Sequence, residues 1–183
     1  MKRIATLPLL LCLILLTACS SAPSEFTQIL LAHRDPATDS PTDANGVAVG
    51  VSFTTPLSGL EFECALTGEA AEITVSIYKA DTDYETTVGA DPVREERISN
   101  LSAKLLWQFD ALPAGDYIIL FSNPKNASLI KSVVTSYEGS GKILHYRNGT
   151  VMTDGTVALT LLFPTTEGTT PSLKTFTYPI MEQ

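Results

Sequence analysis

Apolar and polar residues alternate along most of this chain. Val47, Val49, Val51 and Phe53 are spaced by small residues, the period-2 pattern of a half-buried strand. Leu60–Leu66 repeats the pattern, with Glu61 and Glu63 on its water-facing side. Ile73, Val75 and Ile77 point one way from the next segment, and Thr74, Ser76 and Tyr78 point the other. Pro92–Ile98 reads as an edge strand. In Lys104–Asn123, Leu105, Trp107 and Phe109 alternate with Lys104, Gln108 and Asp110, and Pro113 and Gly115 punctuate a turn. Tyr117–Phe121 then runs apolar on both faces, as a strand near the middle of a sheet does. This stretch holds the only Trp and the densest aromatic cluster, so it is expected to be a hairpin at the heart of a β core.

Upstream, Phe26–His33 is a candidate first strand and Arg34–Asn45 a loop rich in Pro, Asp and Thr. Lys79–Asp91 reads as a polar loop. Downstream, Leu129–Tyr137 is β-branched at Val133 and Val134. Lys142–Arg147 and Thr150–Thr153 flank Asn148-Gly149, the strongest short-range hairpin signal, because a type I′ turn needs positive φ at both central residues. Val157, Leu159, Leu161 and Phe163 alternate, and Leu173–Tyr178 is the last strand. About ten short strands at roughly 8–12-residue spacing, with no sustained 3.6-residue period, predict an all-β protein. The expected architecture is an antiparallel β-sandwich of jelly-roll type spanning 47–183.

The amino terminus changes the picture. Met1–Leu16 has a basic start at Lys2 and Arg3 and then an apolar run ending in Leu16-Thr17-Ala18-Cys19, the layout of a secretory signal rather than a membrane span. Leu-Thr-Ala-Cys resembles a bacterial lipoprotein lipobox. The resemblance implies that residues 1–18 are removed and that Cys19 is lipidated, tethering residues 19–46 to a membrane. A diacylglyceryl anchor has two chains, and two make attachment durable where one does not. Ser20 resembles the outer-membrane default where a cell has two membranes. The alternative is an ordinary signal peptide with an incidental Cys. Cleavage leaves 165 of the 183 residues. Removing Lys2 and Arg3 from the 12 basic residues leaves 10 against 20 acidic ones, a formal charge of −10. That balance disfavours nucleic-acid backbones and anionic lipid surfaces.

Cys12 leaves with the signal, so Cys64 has no thiol to pair with. It shares a strand face with Leu60, Phe62 and Leu66 and reads as a buried, inert thiol. Metal-site spacing is missing: His33 and His145 lie far apart and no CxxC occurs. Gly139-Ser140-Gly141-Lys142 lacks the first Gly of a phosphate loop and precedes a strand, so it is a turn. There is no GxSxG elbow. Acidic pairs for glycoside hydrolysis are not singled out by spacing, and the expectation is a protein that is not an enzyme.

Ser76–Val93 (SIYKADTDYETTVGADPV), Leu112–Tyr117 (LPAGDY) and Tyr146-Arg147-Asn148-Gly149 together resemble jelly-roll modules attached to bacterial secreted glycosidases. Those modules are carbohydrate-binding, galactose-binding-like sandwiches. The resemblance covers about Val47–Phe163 and implies sugar recognition without catalysis. Residue chemistry agrees with it. Sugars offer C–H faces to aromatic rings and hydroxyls to carboxylates, amides and Arg. Tyr78, Tyr84, Tyr146, Arg147 and Asn148 are therefore the candidate ligand-binding residues. Each Tyr has an alternative role in packing. Asp81 and Asp83 are candidate ligands of a structural Ca²⁺, the alternative being a solvated acidic loop. The expectation is a lipid-anchored, extracytoplasmic carbohydrate-binding module. The alternative is an envelope scaffold lipoprotein that holds another protein through a sheet face or edge.

Overall fold

The computed structural model describes residues 26–32, 37–132, 143–152, 155–166 and 168–178. The expectations placed on Cys19 and its signal, on His33, on Val133 and Val134, and on Gly139–Lys142 lie outside the described residues. Alternation shapes what is described: fourteen strands in two antiparallel sheets, with one short helix.

The strands are β1 (Phe26–Leu30), β2 (Ser40–Thr42), β3 (Val47–Phe53), β4 (Leu57–Leu66), β5 (Glu72–Lys79), β6 (Arg94–Ser99) and β7 (Lys104–Leu112). They continue as β8 (Gly115–Lys125), β9 (Ala127–Ser132), β10 (Leu144–Arg147), β11 (Thr150–Met152), β12 (Thr156–Val157), β13 (Leu159–Pro164) and β14 (Leu173–Lys174). Helix α1 (Tyr84–Gly89) follows β5.

The pairings nest. β5 pairs with β6, β4 with β7, β3 with β8 and β2 with β9. Cross-pairs β5·β8 and β4·β9 then give the orders β2-β9-β4-β7 in one sheet and β3-β8-β5-β6 in the other. This is a long antiparallel ribbon rolled into two sheets, the jelly-roll arrangement. The first sheet is extended by β13, β1 and β12, the second by β10, β11 and β14.

Three expectations are corrected. Lys104–Asn123 is not a hairpin: β7 pairs with β4 in the first sheet, while β8 lies between β3 and β5 in the second. The link through Pro113 crosses the sandwich, and the Tyr117 hydroxyl pins it by donating to the Pro113 carbonyl at 3.0 Å. Lys79–Asp91 is not all loop, because α1 occupies its middle. Arg34–Asn45 likewise contains the short β2. Other expectations hold. Among the described residues β6 pairs only with β5 and is an edge. β3 runs over the residues its alternation predicts.

The core lies between the sheets. Val49, Val51 and Phe53 of β3 and Ile73, Val75 and Ile77 of β5 meet Leu60, Phe62, Leu161 and Phe163 of the first sheet. Phe53 stacks on Tyr117 at 5.0 Å, and Phe62 meets Phe121 edge-on at 5.2 Å, geometries that aromatic quadrupoles favour. Trp107 is buried here against Phe109. Cys64 is free and buried in the same core, and burial pushes its thiol up to about 11, so it stays protonated and inert.

A second, smaller core sits on the outer face of the second sheet. Ala48, Ile118, Tyr78 and Tyr146 are covered there by Tyr84 and Val88 of α1 and by Phe176 and Tyr178 of the segment after β14. Phe176 packs over Gly50, where a Cβ would stand 2.8 Å from its ring. The missing side chain of Gly50 makes the seat for this ring.

Candidate functional site

The β10–β11 hairpin is built as its turn demands. Asn148 has φ +48° and Gly149 φ +78°, both in the left-handed region that a type I′ turn requires. The Asn148 amide donates to the Gly46 carbonyl at 2.9 Å. The backbone of Asn148 is thus occupied in shaping the turn. Tyr146, paired with Ala48, faces the outer side of the second sheet. Its ring lies 4.8 Å from that of Tyr84, tilted by 33°.

The structure therefore brings Tyr78, Tyr84 and Tyr146 together, but beneath a cover. Tyr146 is 3% exposed and Tyr78 8%, so neither ring offers a free face to a sugar. The Tyr146 and Tyr178 hydroxyls are buried close to each other. Burial raises the phenols of Tyr84, Tyr146 and Tyr178 above their ordinary value.

The two aspartates serve the local chain. Asp83 caps α1: its Oδ1 accepts from the Thr86 amide at 2.8 Å, which holds its carboxyl below the usual range. Asp81 Oδ1 accepts from the Thr82 amide at 2.7 Å. Among the described residues no three His, Cys, Asp or Glu side chains gather at metal-binding distance.

Arg147 stands elsewhere. It pairs with Val47, and His145 with Val49, so these two side chains lean toward the inside of the sandwich mouth. Arg147 Nη1 donates to Thr42 Oγ1 at 3.1 Å, and its Nη2 is 3.8 Å from Asp43. A cavity of about 40 Å³ opens here, and Thr42, Lys131, His145, Arg147 and Thr156 supply its polar lining. His145 Nε2 is buried with no partner, and desolvation drops its pKa to about 4.

A gathering of polar side chains lies on the outer face of the first sheet. Register aligns Leu30, Thr160, Glu61 and Leu106 across four strands. Glu63 lies opposite Lys104 in the next row. Gln28, Leu30, Glu61, Glu63, Lys104 and Thr160 line a groove of about 400 Å³. Lys104 Nζ reaches Glu61 at 2.8 Å, a hydrogen bond that raises the ammonium's pKa. Nothing in the spacing of Gln28, Thr160 and Lys104 announces this groove; only the outward alternation of Glu61 and Glu63 does. Comparison with protein-family models, curated proteins and solved structures finds no match to this chain.

Proposed function

We propose that this protein is a lipid-anchored, extracytoplasmic module that binds carbohydrate without transforming it. The lipobox around Cys19 supports the anchor, and Ser20 supports the outer membrane where a cell has two. The groove on the first sheet carries the binding reading. Its volume falls in the range of roughly 300–1,000 Å³ typical of small-molecule sites. Glu61 and Glu63 accept hydrogen bonds from sugar hydroxyls, Lys104 donates to them, and Gln28 and Thr160 do both. Leu30 and Leu106 offer apolar surface to a ring's C–H face. Strand ladders hold these side chains in register before a ligand arrives, which lowers the ordering cost of binding. The formal charge of −10 favours neutral or cationic saccharides over polyanions.

The test is a glycan-array screen of the full chain in detergent, with and without EDTA, followed by titration of each hit. Selective binding is expected, insensitive to EDTA, with no new reducing ends released on long incubation. Glu61→Gln should weaken it about tenfold or more, the cost of a charge-assisted hydrogen bond. Silence from folded protein across plant, host and bacterial glycans would overturn the sugar reading.

The second reading is an envelope protein bound through this same face. Leu106, 53% exposed, and Leu30, 37% exposed, favour it as exposed apolar side chains at the two ends of one row.

A further inference from the structure

The cavity at the sandwich mouth has a chemistry that its acidic surroundings do not share. Six elements meet there: β2, β3, β9, β10, β11 and β12 supply Thr42, Val47, Lys131, His145, Met152 and Thr156. Arg147 completes the polar set. Among the described lining residues there is no carboxylate and no side-chain amide. The polar groups are a guanidinium, an ammonium, an imidazole and two hydroxyls, of which the Thr156 hydroxyl already donates to the Val157 carbonyl at 3.4 Å. Asp43 lies 3.8 Å from Arg147 and is itself 60% exposed, beyond hydrogen-bond reach.

A second observation points to an occupant. The Nε2 of His145 is buried and has no hydrogen-bond partner, and a buried polar atom of this kind calls for one. An acceptor inside the cavity meets that need when Nε2 carries the imidazole proton. The space has a definite size. A water occupies about 10–15 Å³ on this measure, so about 40 Å³ holds roughly three. That is the bulk of a carboxylate or phosphate group and far less than a sugar ring.

We propose that the cavity bounded by Thr42, Lys131, His145, Arg147 and Thr156 binds a compact oxyanion, with Arg147 and the His145 imidazole as its principal donors. The planar fork of Arg147 suits two oxygens of one anion. The shared chemistry is a small oxyanion; it comes either free in solution or as the pendant carboxylate of an acidic saccharide. The site shares no lining residue with the groove on the first sheet, so it stands or falls apart from the sugar reading.

The test follows the His145 ring resonances by nuclear magnetic resonance, and the melting temperature, in the full chain in detergent. Sodium phosphate, acetate and glucuronate are each titrated against sodium chloride at matched ionic strength. The oxyanions should move the His145 signals saturably and raise the melting temperature, and chloride should not. Arg147→Gln should weaken the titration about tenfold or more. Should that variant fail to fold, Arg147→Lys keeps the charge but not the fork and should weaken it as well. Equal affinity for all three anions assigns a free ion; a preference for glucuronate assigns a saccharide carboxylate. His145 signals that answer to no oxyanion more than to chloride overturn the site, as does an Arg147→Gln variant that binds like the parent.

Discussion

The two sheets turn opposite faces to the outside. The second sheet covers its outer face with aromatic rings: Tyr84 from α1 and Phe176 and Tyr178 from the chain's far end close over Tyr78, Tyr146 and Ile118. The first sheet leaves its outer face open, with Glu61, Lys104 and Gln28 standing in a groove. The difference teaches which side chains are available for recognition. An aromatic residue that points away from the main core is no platform when another segment lies on it. A row of carboxylates and amides on an uncovered sheet is a surface a ligand can reach.

The sharpest way to break this comparison is to uncover the sealed face. Phe176 is buried to 2% exposure in its seat over Gly50. Phe176→Ala should cost about 3–5 kcal/mol of stability, the usual loss for a buried Phe. Leu106→Ala on the open face should cost no more than about 0.5 kcal/mol. Urea unfolding of both variants gives the two numbers side by side. A Phe176 variant as stable as the Leu106 one would mean that the cover contributes nothing. Gly50→Val should act like a milder Phe176 substitution, because its new methyls push the ring off the sheet.

The mouth of the sandwich tests whether sealing extends inward. His145 keeps its proton only near pH 4 in the folded chain, against 6.5 for a free imidazole, because burial penalises the charge. The unfolded chain thus binds more protons than the folded one between those values. Stability is fully present above pH 6.5 and is lost as pH falls toward 4, by about 3 kcal/mol from this group. Among the described residues, the charged groups around the ring are Arg147 on its own strand, Lys131 of β9 and, beside Arg147, Asp43. Urea unfolding at pH 7 and at pH 4.5 should show the loss in the parent and a smaller one in His145→Gln. Identical losses in the two would mean that water reaches the ring freely.

Much of this arrangement was legible in the chain itself. The alternation of Val47–Phe53 and the run Tyr117–Phe121 place β3 and the two-sided β8 because side-chain period and sheet pleat are the same thing. Asn148-Gly149 marks its hairpin because few other pairs accept two positive φ angles. The limits are equally physical. Pro113 and Gly115 say that the chain turns, but not whether the strands on either side pair with each other. In this fold they go to different sheets. Helix α1 has six residues, too few for a helical period; its one local sign is Asp83, a capping residue three positions before Thr86. The alternation of β5 puts Tyr78 on the outer side correctly, yet its cover includes Phe176, almost a hundred residues onward. The groove was illegible for the same reason, since Gln28, Glu61, Lys104 and Thr160 meet only through β1, β4, β7 and β13.

A gentler perturbation of the sealed face removes the cap of α1. Asp83→Ala deletes the acceptor for the Thr86 amide. The helix is short and its outer side is exposed, so its amides should exchange hydrogen faster while those of β3 and β8 keep their protection. Faster exchange spreading into β8 would mean that cover and sheet unfold as one unit.

The smallest expected effect on stability belongs to the open face, where it matters most for function. Lys104 and Glu61 form an exposed pair at 2.8 Å, and such pairs contribute about 0–1 kcal/mol, because water screens the charges and two long side chains must be held still. Lys104→Ala and Glu61→Gln should therefore leave the unfolding curve close to the parent's. The same two changes remove a donor and an ionised acceptor from the groove, so saccharide affinity should fall about tenfold or more. Calorimetric titration and urea unfolding on one preparation read both quantities. On the sealed face the order reverses: Tyr84→Ala should loosen packing against Tyr146 and leave groove affinity intact. If Tyr84→Ala instead abolishes saccharide binding in folded protein while Glu61→Gln does not, recognition belongs to the aromatic face, and its cover must move aside to admit the ligand.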